Sequence, residues 1–181
     1  LQNTTQDSLA ADVESDDSFG ASVRIAWFGN TPDNTYDNAS LNGAIDGARR
    51  GHSFVRPFYC QYDPQVQLEQ CLSAVRSRSF DAFLIDANDG VGIIPCVQSA
   101  ASRGIRVVAI DLPIGADPAT VQPQVRGQDG AVLTPAAKFG DTLVTVVGDL
   151  CTRLGKCNLV YLAGSLGINY DIIAIQGLQG L

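Results

Sequence analysis

The chain has 181 residues, 45% of them hydrophobic, with 12 Lys+Arg against 19 Asp+Glu. At roughly 100–200 residues per domain that length allows one domain or slightly more, and the apolar share excludes a wholly disordered chain. No run approaches the roughly 18–20 consecutive apolar residues of a membrane span, and without a basic patch to neutralise phosphates nucleic acid is excluded as an expected partner.

The net charge of −7 is mostly local. Residues 1–21 hold Asp7, Asp12, Glu14, Asp16 and Asp17 with no Lys or Arg, which leaves 12 basic and 14 acidic residues in the remainder. This stretch shows neither a 3.6-residue nor a 2.0-residue apolar period, so it reads as a flexible acidic leader or tether. The absence of Met, even at the first position, points to removal of a leader or tag from the front, a removed signal segment being one form of it.

A regular alternation follows. Val23–Phe28 is a short apolar strand, and Leu41, Ala44, Ile45 and Ala48 then repeat at helical spacing. Phe54–Tyr59 is the second strand. Asp63-Pro64 supplies a cap and a first-turn proline for a helix whose apolar face is Leu68, Cys71, Leu72 and Val75. The third unit is Ala82–Ile85 and a helix through Ile93, Val97, Ala100 and Ala101, stopped by Gly104. Ile105–Ile110 is the fourth strand. Val121–Val125, with Pro123 inside it, is a weaker strand placed at an edge or a crossover. Thr134-Pro135 opens a longer helix with a face of Phe139, Leu143, Val146, Val147 and Leu150. Leu159–Leu162 reads as a further strand, and Ile172, Ile173, Ile175 and Leu178 begin another helix.

Strand-helix alternation of this kind predicts an α/β doubly wound parallel sheet with helices on both faces, and the flavodoxin-like order 2-1-3-4-5 is the order expected. The rhythm breaks between Asp111 and Thr134. The expected organisation is a leader over 1–21, an amino-terminal α/β lobe over 22–118, a crossover or hinge over 119–134, and the start of an incomplete second α/β lobe over 135–181.

Five cysteines fit no zinc pattern, because there is no Cys-x-x-Cys and a single His cannot complete a Cys/His set. In the 2-1-3-4-5 order the second and third helices lie side by side, which pairs Cys71 with Cys96. Cys151 and Cys157 are close enough to close a small local loop, and Cys60 is left over. The alternative is five buried reduced thiols. Disulfides would place the protein outside the cytoplasm.

In open α/β sheets ligands bind beyond the carboxyl ends of the strands. The residues there are polar: Asn30, Asn34, Tyr36 and Asn38 after the first strand, Asp86, Asn88 and Asp89 after the third, Asp111 after the fourth. Ser165, Asn169 and Tyr170 follow the strand of the second lobe. Asn and Asp fork hydrogen bonds onto vicinal hydroxyls, and Tyr offers a flat face to a sugar ring, so a nearly uncharged polyol matches the set. Each also has a plainer role, since the three asparagines are ordinary loop-formers and caps, and Asp89 is placed to cap the third helix.

Enzyme chemistry fits poorly. Gly164-Ser165-Leu166-Gly167 lacks the first Gly of a nucleophile elbow, and His52 sits at the wrong end of the sheet for Ser165. Asp86, Asp89 and Asp111 as a magnesium pocket would lack the completing lysine, and no phosphate-binding glycine loop is present. No metal or cofactor is expected.

The stretches RIAWFGN…NGAIDGARR, YDPQVQLEQC, FDAFLIDANDGVGIIPCVQSAASRGIRVVAIDLPIG and CNLVYLAGS…YDIIAIQGLQG carry a resemblance. Across residues 22–181 the chain resembles the type I periplasmic binding proteins, the sugar-binding components of ABC transporters of the ribose-binding kind. The resemblance implies a two-lobed clamp closing on one ligand without chemistry, monomeric, extracytoplasmic or tethered as a lipoprotein, and delivering to an ABC permease. It implies polar ligand contacts at Asn38, Asp86 and Asp111. Two arginines frequent in the family are replaced by Leu112 and, approximately, Ala174, which implies a less polar or differently oriented ligand. The rival expectation is a ligand-sensing domain of a receptor or regulator of the same fold; the acidic, unpatterned leader is unlike the basic helix-turn-helix a repressor needs.

Overall fold

The computed structural model describes residues 22–164 and 169–180. It has five strands, β1 (Arg24–Gly29), β2 (Phe54–Tyr59), β3 (Ala82–Ile85), β4 (Arg106–Asp111) and β5 (Gly130–Leu133). The helices are α1 (Thr35–Arg50), α2 (Pro64–Ser77), α3 (Ile94–Ala101), α4 (Ala136–Leu154) and α5 (Asn169–Leu178). The sheet order is β2-β1-β3-β4-β5, every pairing is parallel, and the expected doubly wound order is therefore observed.

Strand alternation sorts the side chains. Ala26 and Phe28, Phe83 and Ile85, and Val107 and Ala109 point to one face, where they form a closed core with Cys71, Ala74 and Val75 of α2 and Cys96, Val97 and Ala100 of α3. Phe28, Phe58, Phe80 and Phe83 interlock there at centroid distances of 5.0–6.3 Å. Leu84, Val108 and Ile110 point to the other face. Helix α1 packs on that face near β2, leaving a groove of about 570 Å³ toward β5, where Val132 is 70% exposed.

Local chemistry explains the helix starts. Asn34 caps α1 by accepting from the Tyr36 N–H at 2.8 Å, and Asp63 caps α2 from Gln65 and Val66 with Pro64 in the first turn. Asp89 takes a different place from the expected cap of the third helix. Its carboxylate accepts from Val91 and Gly92, which holds the turn leading into α3, and Ile93 stands at the cap position itself.

Two expected strands are absent. Val121–Val125 is irregular, because Pro123 lacks an N–H and the Gln124 side chain folds back to bond the N–H and carbonyl of Asp117. The fifth strand is instead Gly130–Leu133, inside the stretch read as a crossover. Asp129 anchors it to β4 through its N–H to Val107 O at 2.7 Å and its carboxylate to Val107 N at 2.8 Å. Leu159–Leu162 forms no strand either: no described segment pairs with it, and Val160 and Leu162 are 83% and 88% exposed.

Helices α4 and α5 pack on each other through glycines. A Cβ at Gly140 would meet Ile173 at 2.6 Å, and one at Gly177 would meet Val144 at 2.6 Å. The cysteines are arranged as expected, Cys71 and Cys96 from the helix order and Cys151 and Cys157 from their short spacing. Cys71 and Cys96 reach disulfide distance with Cα atoms 6.0 Å apart, Cys151 and Cys157 do so at 4.8 Å, and Cys60 is a buried free thiol.

Candidate ligand-binding site

Parallel strands bring all their carboxyl ends to one edge, so Asn30, Cys60, Asp86, Asp111 and Thr134 gather there from five separate segments. The order reverses at β1, which opens a crevice between the loops following β1 and β3.

Asp86 is the most constrained member. It is 4% exposed; one carboxylate oxygen accepts from the Asn30 amide at 3.4 Å, and the other has no partner. Burial, then the charges of Asp111 and Asp37, push its carboxyl well above the ordinary range. Gln67, buried on α2, fixes the backbone around it by donating to Asp86 O at 2.7 Å and accepting from Asn88 N at 2.9 Å.

Asp111 ends β4 with φ +60°, a left-handed conformation uncommon for a non-glycine residue. Its carboxylate accepts from the Tyr36 hydroxyl at 2.6 Å and lies 3.5 Å from the hydroxyls of Thr134 and Tyr170. The Tyr170 hydroxyl also lies 3.2 Å from Thr134 O, so its single proton is shared between two acceptors. Burial and then the contact with Asp111 raise the Tyr36 hydroxyl pKa, and burial is the first cause of the rise at Tyr170. Both tyrosines therefore act here as donors.

The remaining asparagines shape the loop. Asn34 spends its carbonyl on the α1 cap and its amide on the Tyr62 hydroxyl at 3.0 Å, and Asn38 donates to Pro32 O at 2.8 Å. Asn30 adjoins Asp86 directly. Ser165 and the side chain of Asn169 lie outside the described residues. The Tyr170 ring stands edge-on to Phe139 at 5.7 Å.

Asp37 belongs to the site although its sequence position alone does not single it out. Buried to 1% exposure in the first turn of α1, it accepts the N–H groups of Asn30 and Thr31 at 3.0 and 2.8 Å and so fixes the loop after β1. An acid in a first helical turn is a readable signal, although it says nothing of which loop it holds. Gln67 had no signal beyond its place on a helix. Cys60 sits beneath the site, donating to Gly29 O at 3.4 Å and accepting from the Asn88 amide at 2.9 Å. Burial pushes its thiol up, away from the reactive thiolate.

His52 precedes β2, at the opposite end of the sheet from Asp86 and Asp111. Leu112 and Ala174, which stand where the resemblance expects arginines, are both buried. Among the described residues no three His, Cys, Asp or Glu side chains come together in a way that could hold a metal ion. No described helix is long and apolar enough to cross a membrane.

No protein-family model and no curated protein sequence matches the chain. Solved structures do. A Mycobacterium smegmatis protein in complex with β-D-fucofuranose matches with TM-score 0.74 at 13% identity, over 88% of this chain and 50% of its own. An ABC transporter solute-binding protein of Clostridium phytofermentas with bound L-rhamnose matches with TM-score 0.72 at 16% identity, over 90% and 47%. A periplasmic solute-binding protein of Actinobacillus succinogenes with bound D-allose matches with TM-score 0.68 at 20% identity, over 87% and 54%. The chain thus has the fold of the type I periplasmic binding proteins. It spans about half the length of the solved proteins it matches.

Proposed function

We propose that the chain is part of an extracytoplasmic solute-binding protein that holds a sugar or sugar-like polyol in a cleft between two lobes and delivers it to an ABC permease. The first lobe runs through β5, and α4 and α5 open the second. The protein works as a monomer without covalent chemistry, secreted or tethered as a lipoprotein, with Cys71–Cys96 and Cys151–Cys157 as its disulfides.

One observation carries this reading: a buried carboxylate, Asp86, with one oxygen unpartnered, at the crevice of this fold and in the field of Asp111. An unsatisfied buried acceptor costs free energy, and a ligand hydroxyl repays it by donating. Asp86, Asp111 and Asn30 supply forked contacts from the first lobe, joined by Asn34, Asn38 and Tyr36 from the loop into α1. Ser165, Asn169 and Tyr170 supply the second lobe's part. Closure of the lobes favours the liganded state, which the permease reads.

A thermal-shift screen of monosaccharides and polyols against the full-length protein tests it. At least one is expected to raise Tm. A flat response across the panel, with amines included, sinks the reading.

A further inference from the structure

Among the described residues, the acids at the carboxyl edge of the sheet make no ion pair. The described ion pairs are Arg24–Asp81, Arg49–Asp46 and Arg106–Asp129. Arg24 and Arg106 begin β1 and β4, while Asp81 and Asp129 precede β3 and β5, so two of the three pairs lie at the amino edge. The third lies on the exposed surface of α1. None reaches Asp37, Asp86 or Asp111. Lys138, exposed in the first turn of α4, makes no ion pair with them either.

Nor do neighbouring donors complete Asp86. The Asn30 amide goes to its other oxygen, Gln67 to its backbone carbonyl, the Asn88 amide to Cys60, and the Tyr36 hydroxyl to Asp111. Asp86 is thus more than nine-tenths buried with an acceptor left open. A divalent metal is a poor answer, because no three potential ligand side chains among the described residues come together to hold one. An ammonium group is a better one. It brings three N–H donors and a full charge, it needs no tight coordination shell, and its hydrogen bonds to carboxylate are stronger than those of a neutral hydroxyl.

We propose that the ligand is an amino sugar, whose protonated amine is held by Asp86 and Asp111 while its hydroxyls take the remaining polar contacts. This rests on the sugar-binding reading above and narrows it. A neutral sugar brings no charge to these two carboxylates, whereas a buried carboxylate is stabilised most by a partner of opposite charge that also donates hydrogen bonds.

The test is calorimetry at pH 7 on the full-length protein with glucosamine, galactosamine and mannosamine. Each is set against its parent hexose and its N-acetyl form, with putrescine as an amine lacking the polyol. At least one amino hexose should bind ~10-fold or more tighter than both its neutral counterparts, the ratio expected of one charge-assisted hydrogen bond. Asp86→Asn should remove most of that preference while the ligand-free protein stays folded by circular dichroism. A parent hexose or N-acetyl form binding as tightly as the amine would overturn this inference and leave the sugar reading standing. Putrescine binding as tightly as any amino hexose would overturn both, whereas no amino hexose binding would overturn this inference and leave the sugar reading to the wider screen of monosaccharides and polyols.

Discussion

The two ends of one sheet handle charge in opposite ways. At the amino end Arg24 meets Asp81 at 2.8 Å and Arg106 meets Asp129 at 2.6 Å, in pairs open to solvent. Both acids also accept backbone N–H groups, of Arg24 and Val107, which stitch adjoining strand starts together. At the carboxyl end, among the described residues, Asp86 is buried without an ion pair and the Asp111 carboxylate meets the hydroxyls of Tyr36, Thr134 and Tyr170. The first arrangement lowers carboxyl pKa values, with Asp81 brought down to about 2 chiefly by its hydrogen bond to Arg24; the second raises that of Asp86. An end that satisfies its charges holds the fold together. An end that leaves them open is poised for something else to satisfy them.

The sharpest way to break this contrast is to find an acid at the carboxyl end that behaves like those at the amino end, and Asp37 is expected to be one. Asp37→Ala orphans the Asn30 and Thr31 N–H groups and should cost about 2–3 kcal/mol by urea unfolding, the scale of buried charge-assisted bonds. A loss below about 0.5 kcal/mol would show the loop after β1 to be held by other means.

Asp86→Asn should act in the opposite direction. Its folded pKa lies above the unfolded value, so its contribution is fully present below about pH 4 and is lost as pH rises through the folded pKa. Keeping the carboxylate ionised at neutral pH therefore opposes folding. The variant should melt higher than the parent at pH 7, with the gain gone by about pH 4, and should lose ligand affinity. A lower Tm at pH 7 would mean that an unseen partner satisfies Asp86. At the amino end the sign reverses: Asp81 has a depressed pKa, so its contribution is present above about pH 4 and fades as pH falls through about 2. Asp81→Asn should lower Tm at pH 7 by a small amount that added salt shrinks, because the pair is exposed and screened.

The same contrast explains what the sequence could and could not reveal. Strands β1 to β4 are short runs beside strong turn signals, and their alternation with helices gives a parallel doubly wound sheet, for which the order 2-1-3-4-5 is one of two common choices. That order also places Cys71 against Cys96 and puts Asp86 and Asp111 on one edge. Strand β5 has four residues beginning with glycine, and its pairing depends on Asp129 reaching Val107, a contact across 22 positions that no local pattern encodes. Val121–Val125 carries β-favouring residues, yet Gln124 prefers the Asp117 backbone. Leu159–Leu162 has strand composition and no described partner strand. Asp86 and Asp111 were visible as strand ends, whereas the roles of Asp37 and Gln67 depend on loops that reach them only in three dimensions.

The smallest expected effect concerns Tyr36, whose ring is half exposed while its hydroxyl holds Asp111. Tyr36→Phe removes one hydrogen bond to a carboxylate that keeps the Thr134 hydroxyl nearby, so stability should fall by no more than about 1 kcal/mol. The informative readout is affinity. If the Tyr36 hydroxyl stands where a ligand donor must go, the Phe variant frees Asp111 and the ligand should bind somewhat tighter. If the hydroxyl instead remains in the complex as a second-row support for Asp111, binding should weaken. Titration of parent and variant with the same ligand separates the two. Tighter binding would place Asp111 with Asp86 as an acceptor kept for the ligand, while weaker binding would leave Asp86 as the open carboxylate of the two.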